Sequence, residues 1–202
     1  STQISNDSNS IPQNTDIYGC NVEFNHQIRI EQSRLLLYSC VFEKINDQQK
    51  GGAINIQIQG QISSLKGDYI MKYCIIRQCK AKWGGALMIN VRNQYVRFRF
   101  TNSTFEDNVA EFQDGAIYAS LNYPIFDCYK FINNIAPSGA DIYLLPLDVV
   151  NLDDLDTVEE DFTITNSIFE RSLFNDNSNS IFYIYDSFLD FTFSNNIVNI
   201  SN

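Results

Sequence analysis

Apolar and polar residues alternate along three short stretches of this chain, over residues 54–59, 87–92 and 96–100. In the first stretch, Ile54, Ile56 and Ile58 alternate with Asn55 and Gln57. A period of two residues is that of a β-strand with one face buried and the other in water. We therefore predict strands whose isoleucines point inward, and whose intervening residues, Asn55 and later Met88 among them, face water.

Helices are not predicted anywhere in the chain. No stretch combines a helical period with capping residues, and Asn, Ser, Ile and Phe dominate where a helical repeat would need Ala, Leu, Glu and Lys. The chain also has 15 Phe and 11 Tyr among its 202 residues, and aromatic and β-branched residues favour strands. The expected fold class is therefore all-β.

One sequence motif recurs: a Cys or Ser, a large apolar residue, often Asn three positions on, then Gly-Ala and an alternating strand. The anchoring apolar residues of its copies are Phe42, Ile76, Phe105, Phe131, Phe169 and Phe193. The interval between consecutive anchors varies widely along the chain, whereas Gly-Ala follows its anchor at a nearly constant interval. One segment of each copy thus has a fixed length while another accepts insertions, which is typical of a solenoid.

A single coil cannot bury its own apolar face, but coils stacked in register turn equivalent positions into ladders with a spacing of about 4.8 Å. We predict a right-handed parallel β-helix of about six degenerate coils. Its predicted ladders contain the glycines Gly52, Gly85, Gly115 and Gly139, the core residues Phe42, Ile76, Phe105 and Phe131, and the amides Asn108, Asn134 and Asn196. Glycine suits a tight bend, and stacked Asn side chains can hydrogen-bond along a ladder. The alternative for the amides is a plain preference of Asn for turns.

Three of the five cysteines, Cys20, Cys40 and Cys74, share one position of the motif. Adjacent rungs bring Cα atoms near the disulfide range. A Cys40–Cys74 bond between coils is one reading, Cys20–Cys40 competes with it, and a ladder of buried thiols is the third. Cys74 and Cys79 do not resemble a metal pair, because their spacing is loose and a second pair with His is missing. No metal or cofactor is expected.

The chain divides into a polar tail or linker, residues 1–17, and a β-helix, residues 18–202, with an acidic insertion at residues 144–161. An exposed loop is the preferred interpretation of the insertion, and a calcium loop is the alternative. Three sequons begin at Asn6, Asn102 and Asn199 and would matter in a secreted protein. No apolar run in the sequence is long enough to cross a bilayer as a helix, so no membrane span is expected.

Charge is unevenly distributed along the chain. The net formal charge is −10, and nucleic acid is therefore not an expected partner. Residues 1–100 hold 12 Lys and Arg against 7 acids, whereas residues 101–202 hold 2 against 17. A basic stretch runs from Lys66 to Arg99 with Asp68 as its single acid. This stretch is either an ordinary solvated surface or a belt that guides contact with neighbouring rods or anionic glycans.

The motifs Gly-Gly-Ala-Ile at residues 51–54, Gly-Gly-Ala-Leu at residues 84–87 and Phe-Glu-Asp-Asn at residues 105–108 resemble the repeats of chlamydial polymorphic membrane proteins. They are also similar to those of pectin-lyase-like right-handed β-helix surface proteins. The resemblance covers residues 18–143 and extends weakly to 196. It is specific for the fold and says little about activity. It implies a surface, adhesive or scaffolding role.

We expect an extracellular or cell-surface structural or adhesive protein. Exposed strand edges at the ends of a solenoid recruit further strands, and head-to-tail contact between copies gives open filaments. The chain would assemble end to end into fibres or form part of a longer surface solenoid. The expected partners are further copies, other surface proteins and, in one reading, glycans. A glycan-binding module using Tyr118, Tyr183 and Tyr185 with the basic stretch is the alternative.

A polysaccharide lyase or hydrolase of the pectin-lyase-like class is the other alternative. Its polygalacturonase members carry Asn-Thr-Asp, Asp-Asp, His-Gly and Arg-Ile-Lys motifs. Here Asn-Thr-Asp occurs at residues 14–16, within the predicted tail, and Asp-Asp at residues 153–154, within the insertion. The single His, His26, is followed by Gln27, and Arg-Ile-Lys is missing. Lyases need an Arg close to calcium-binding acids, and acids are almost missing around Arg77, Arg92, Arg97 and Arg99. An enzyme is therefore not predicted.

Overall fold

Parallel strands make up the whole of the described architecture. The computed structural model of the chain describes residues 2–3, 16–20, 23–24, 26–31, 34–47, 49–58, 67–91, 96–113, 115–120, 124–145, 162–172, 182–184 and 191–201. Within these ranges there are 23 strands and no helix. Every pairing between consecutive coils is parallel, as in Ile54 with Leu87, so the predicted all-β class is confirmed.

The strands form three long sheets that run side by side along one axis, together with one short sheet. The first sheet contains, in spatial order, Thr2–Gln3 (β1), Asp16–Cys20 (β2), Arg34–Tyr38 (β5), Gly67–Lys72 (β8), Val96–Thr101 (β12), Pro124–Asp127 (β16), Phe162–Thr165 (β19) and Phe191–Ser194 (β22). The second contains Glu23–Phe24 (β3), Val41–Glu43 (β6), Ile75–Arg77 (β9), Thr104–Glu106 (β13), Lys130–Ile132 (β17), Ile168–Ser172 (β20) and Ile197–Ser201 (β23). The third contains Ile28–Glu31 (β4), Ile54–Ile58 (β7), Leu87–Val91 (β11), Ile117–Ser120 (β15), Ile142–Leu145 (β18) and Phe182–Ile184 (β21). The short sheet pairs Lys80–Trp83 (β10) with Val109–Gln113 (β14).

Each coil visits the three long sheets in the same order. From β5 the chain turns at Ser39 and Cys40 into β6, turns again at Lys44 and Ile45, reaches β7, and re-enters the first sheet at β8. The fold is therefore the parallel β-helix that the sequence predicts. The four coils between Arg34 and Leu145 hold most of the described core, compared with the expected total of about six coils.

Two corners of the coil use a residue with left-handed backbone angles. At the corner between the first and second sheets these residues are Ser39, Tyr73, Asn102, Cys128, Asn166 and Asn195, with φ between 50° and 58°. At the next corner they are Lys44, Gln78, Asp107 and Asn133, with φ between 49° and 57°. Asn and Asp tolerate this region better than other non-glycine residues. A sharp bend at the same place in every coil keeps the coils in register.

The predicted domain boundaries need two corrections. Thr2 and Gln3 pair in parallel with Ile17 and Tyr18, so parts of the predicted tail belong to the first sheet. At the other boundary, Leu144 is a buried residue of β18, because its apolar side chain completes the core of that coil. The predicted insertion therefore begins after residue 145, and residues 146–161 lie outside the described residues.

The outward face of the third sheet is largely buried instead of being exposed to solvent. Asn55 and Met88, which the alternation places in water, are only 1% and 3% exposed. The glycine-rich turn that precedes β7 lies against this face: a Cβ built on Gly51 would be 2.8 Å from the Met88 Cβ. The side-chain amide of Gln27 also donates to the Lys50 carbonyl at 2.6 Å. These prediction errors arise because the turn of one coil folds over the strand of the next.

Candidate functional site

An apolar ladder follows the inward positions of the second sheet. Phe42 pairs with Ile76, Ile76 with Phe105, and Phe105 with Phe131, and all four are fully buried. Phe169 continues the ladder, its ring stacked on Phe131 at 5.0 Å and 3°. The next rung is Val198. The predicted anchor Phe193 instead pairs with Ile164 in the first sheet.

The predicted glycine ladder is correct in three of its four positions. A Cβ on Gly52 would be 2.2 Å from the Gly85 carbonyl oxygen, and one on Gly85 would be 2.3 Å from that of Gly115. One coil further on, the column continues with Ala140, whose carbonyl lies 2.4 Å from a Cβ on Gly115. Gly139 precedes this column, at a position where its φ is +60°. The prediction aligned Gly139-Ala140 with Gly115-Ala116 and was one residue out of register.

A buried amide ladder lies at the second corner. The Asn108 side-chain oxygen accepts from the Cys79 backbone N–H at 3.0 Å, and Asn134 accepts from the Asn108 backbone N–H at 3.1 Å. The Asn134 amide nitrogen in turn donates to the carboxylate of Asp141 at 3.0 Å. Asn196 is not part of this ladder. It lies at the first corner, where its side-chain oxygen accepts from the Ser167 backbone N–H at 2.8 Å.

The first corner carries a mixed ladder of small and polar residues. Its rungs are Cys40, Cys74, Ser103, Tyr129, Ser167 and Asn196, as the paired strands on either side show. Cys20 does not belong to it, because Cys20 pairs with Tyr38, two residues before Cys40. The proposed alignment of Cys20 with Cys40 is therefore wrong, and the Cys20–Cys40 pairing loses its basis.

The described cysteines are all thiols, with no disulfide among Cys40, Cys74, Cys79 and Cys128. Cys40 and Cys74 are 0% and 1% exposed and lie on neighbouring rungs. The neighbouring Cys40 thiol and burial raise the pKa of the Cys74 thiol far above its ordinary value. Burial raises the pKa of Cys79 to about 11. Neutral buried thiols are poor nucleophiles, so these cysteines are unsuited to catalysis in the folded coil.

Opposite charges alternate on the outer face of the second sheet. Arg77 contacts Glu43 of the preceding coil at 2.9 Å, and Glu106 occupies the same position in the following coil. Hydrogen bonds from Lys44 and Arg77 keep the pKa of Glu43 below its ordinary value. Stacking thus brings acids of the coils before and after it next to Arg77. The basic stretch of the sequence is partly neutralised at this face and does not form an unbroken belt there.

An aromatic platform that the sequence analysis missed lies on the short sheet. It consists of Trp83 and Phe112, whose ring centroids are 5.6 Å apart, with the Lys50 ammonium 5.8 Å from the Trp83 ring. Phe112 is 52% exposed. The register shifts between Ala81 and Trp83, and such bulges re-aim side chains. Alternation from the buried Ala110 and the exposed Glu111 would place Phe112 inward, and the register shift leaves it exposed instead, so the sequence pattern carries no signal of this platform.

The tyrosines proposed for glycan binding lie elsewhere. Tyr118 stacks on Tyr143 at 5.6 Å on the covered face of the third sheet, and Tyr143 is only 6% exposed. Tyr183 pairs with Tyr143 in the same row, and Tyr185 lies outside the described residues. Tyr118 and Tyr143 thus pack against each other along the coil axis, and Tyr143 has almost no surface free for a ligand.

The sequons differ in their placement. Asn102 is exposed at the first corner with a φ of 50°, and Asn199 is exposed in β23. Asn6 lies outside the described residues. The first two side chains are therefore accessible to a modifying enzyme.

The coil formed by β22 and β23 exposes its inward positions. Phe193 and Val198 are 41% and 46% exposed. The residues that they continue from the previous coil, Ile164 and Phe169, are fully buried. These two apolar side chains therefore form an exposed patch on the last described coil.

Within the described ranges, no three His, Cys, Asp or Glu side chains come together as a metal site. His26, the only histidine, is half-buried, with its ring 6.3 Å from that of Phe24. The side chains of Arg92 and Arg97 and the acids of residues 148–161 lie outside the described side chains, whereas Arg99 is exposed on the first sheet. The part of the chain that the structure describes contains no helix of the length and apolarity needed to span a membrane.

Comparison of the chain with protein-family models, with curated proteins and with solved structures finds no match.

Proposed function

We propose that this chain is an extracellular structural or adhesive β-helix that extends by end-to-end addition of further coils, in fibres of stacked copies or within a longer surface solenoid. The observation that carries the proposal is the exposure of Phe193 and Val198 at positions that are fully buried one coil earlier. An exposed apolar patch on strands that end the described sheets favours recruitment of further strands. The proposal gives the chain no catalytic role.

A parallel coil of a second copy suits this surface. Its strands would continue the ladders of the first and second sheets at the same spacing, with the Phe169 and Val198 row extended by one more inward residue. Such contact joins different surfaces of two copies and is therefore heterologous, which produces open filaments when the rotation does not close.

Assembly is tested by sedimentation and electron microscopy of the purified chain at increasing concentration. We expect rods whose length increases with concentration. Val198→Lys puts a charge at an inward position of the exposed coil and should leave single particles. Ile197→Lys is the matched control, because Ile197 lies next to it, is 53% exposed and pairs with the outward residue Ile168. A wild-type chain that stays monodisperse and monomeric at millimolar concentration would overturn assembly into fibres of stacked copies.

The proposed extracellular location has its own test. The exposed Asn102 is the best candidate for glycosylation among the described sequons, because it lies at a corner where a glycan would project into water. Secretion from a eukaryotic cell should add a mass that N-glycosidase removes. Thr104→Val removes the sequon but retains Asn102, and it should abolish that mass. An unmodified Asn102 in secreted protein would contradict the assignment.

Glycan binding is the second candidate function, and the platform of Trp83 and Phe112 favours it. Exposed aromatic rings with a nearby ammonium offer an apolar face and a charge to a saccharide. Phe112→Ala should abolish any glycan binding that the wild-type chain shows on an array, whereas Tyr73→Ala, at another exposed aromatic residue (60% exposed), should not. A folded wild-type chain that binds no glycan would dismiss this candidate.

A further inference from the structure

Two buried cysteines lie on adjacent rungs of the first corner. Cys40 and Cys74 occupy consecutive rungs, since Val41 pairs with Ile75 and the Ile75 N–H donates to the Cys40 carbonyl at 2.9 Å. Each thiol also donates to a carbonyl two residues earlier at 3.4 Å. Both side chains are buried inside the coil, at 0% and 1% exposure. The two cysteines therefore lie on neighbouring rungs of one buried ladder without any change in register.

The remaining cysteines have no comparable neighbour in position. Cys79 lies at the second corner, where its sulfur is 4.0 Å from the Phe42 carbonyl. Cys128 is half-exposed beside Asp127 and precedes the rung residue Tyr129. Cys20 is two residues out of register with Cys40. Among the five cysteines as the described strands place them, only Cys40 and Cys74 occupy adjacent rungs of one ladder.

We propose that Cys40 and Cys74 form a redox site that an oxidising environment converts into a disulfide between consecutive coils. Neighbouring parallel strands lie about 4.8 Å apart, within the Cα separation of roughly 4.4–6.8 Å that disulfides span. The bond would close a loop that contains one complete coil of the helix. Its occurrence in the native setting rests on the proposed extracellular location, because thiols stay reduced in the cytosol.

The oxidant is a low-molecular-weight disulfide such as glutathione disulfide. The Cys40 thiolate attacks one of its sulfur atoms, forms a mixed disulfide and releases one glutathione thiol. The Cys74 thiolate then attacks the Cys40 sulfur and releases the second glutathione. Two protein thiols are oxidised, one glutathione disulfide is reduced to two thiols, and the two protein protons end on the released thiols.

Burial determines when this exchange occurs. Both side chains are at most 1% exposed in the stacked coils, so an oxidant reaches them during folding or through local opening of the coils. Folded, reduced protein should therefore oxidise slowly, whereas protein that folds in the presence of the oxidant should acquire the bond. Once formed, the bond is protected by the same burial.

The test is to refold the reduced full chain in a buffer of reduced and oxidised glutathione, and then to map its cysteines by differential alkylation and mass spectrometry. We expect one cross-linked pair of peptides containing Cys40 and Cys74, with Cys79 alkylated as a thiol. The oxidised chain should melt roughly 10 °C higher than the reduced chain. Cys79→Ser and Cys128→Ser variants should retain this shift, and Cys40→Ser should lose it.

Alkylation of both Cys40 and Cys74 in the refolded, oxidised sample would overturn the inference, as would a bond from either one to another cysteine. Mapping on the wild-type chain gives this result even if Cys40→Ser does not fold. Sedimentation of the same chain in dithiothreitol tests assembly separately. Rods that persist without the bond would leave the proposed function intact, and a disulfide in a monomeric chain would leave the redox site intact.

Discussion

The side-chain oxygen of Asn134 accepts two hydrogen bonds from Asn108, one from its backbone N–H at 3.1 Å and one from its side-chain amide at 3.0 Å. The amide nitrogen of Asn134 donates to the Phe105 carbonyl at 3.1 Å and to Asp141 at 3.0 Å. One buried side chain thus satisfies four polar groups, three from the preceding coil and one from Asp141 of its own coil. Buried groups without partners are costly, so this ladder helps to hold the coils in register.

Asn134→Leu should reduce the free energy of unfolding by about 3 kcal/mol, because it leaves several buried donors and acceptors without partners. Urea denaturation measures the loss. Asn46→Leu is the control, since Asn46 is exposed, and it should change the free energy of unfolding by less than about 0.5 kcal/mol. Equal effects of the two substitutions would mean that the ladder adds nothing beyond the general cost of losing an Asn.

The glycine column permits close approach of successive coils. Gly85→Ala would place a Cβ 2.3 Å from the Gly115 carbonyl oxygen and 2.6 Å from that of Val109. Both contacts are with backbone, which cannot move aside like a flexible side chain, so we expect a loss of at least about 2 kcal/mol in the free energy of unfolding. Denaturation of the purified variant measures it.

Ala140→Gly is the matched substitution in the same column. It removes a Cβ instead of adding one, so the expected cost is only about 1 kcal/mol, mainly from backbone entropy. If Gly85→Ala proved as mild as Ala140→Gly, the column would not be limited by the approach of the coils.

The sequence predicts the repeat well, because core positions follow the burial of large apolar residues. Phe42, Ile76, Phe105 and Phe131 were aligned from the sequence, and they occupy adjacent rungs. The alignment fails for Asn196 because two corners have the same local requirement. At both corners a left-handed residue is followed by an inward one, and at Asn134 and Asn196 this inward residue is an amide that accepts from a backbone N–H of the preceding coil. Asn195-Asn196 therefore looks the same in sequence as Asn133-Asn134.

The register of the first coils of the β-helix depends on contacts between residues outside the repeated motif. Gly19-Cys20 looks like Ser39-Cys40, yet the ring of Phe24 stacks on that of Phe42 at 4.6 Å and Glu23 pairs with Val41. In this register Cys20 pairs with Tyr38 and therefore lies two residues before the position that Cys40 and Cys74 share. The ion pairs could not be predicted from the sequence either. Residues about one coil apart, such as Glu43 and Arg77, become neighbours only when the coils stack.

Phe131→Ala should be among the most damaging single substitutions in the core. The Phe131 ring stacks between Phe105, at 5.4 Å, and Phe169, at 5.0 Å. Removing it leaves a cavity between consecutive coils, so we expect a loss of about 3–5 kcal/mol in the free energy of unfolding. Phe112→Ala removes the same group from an exposed site and should cost less than about 1 kcal/mol. Chemical denaturation distinguishes them, and similar losses would contradict the assigned core.

The carboxylate of Asp127 accepts hydrogen bonds from Thr165 and from the side-chain amide of Asn166, both at 2.8 Å. Partial burial raises the pKa of Asp127, but the hydrogen bonds from Asn166, Thr165 and Cys128 together lower it more, so that the pKa lies below its ordinary value. A lowered pKa in the folded state means that the carboxylate stabilises the fold above its unfolded pKa of about 3.9. This contribution is lost as the pH falls through the folded pKa.

Asn166→Gly removes the amide donor and retains the left-handed corner, where Asn166 has a φ of 51°. The pKa of Asp127 should therefore rise towards its ordinary value, and its stabilising contribution should be lost at a higher pH than in the wild-type chain. NMR titration of the Asp127 carboxyl measures the change directly. Asn195→Gly makes the same substitution at the same corner one coil on, where φ is 56°, and it should leave this titration unchanged. An Asp127 pKa that does not move in Asn166→Gly would show that the hydrogen bond from Asn166 does not stabilise the carboxylate.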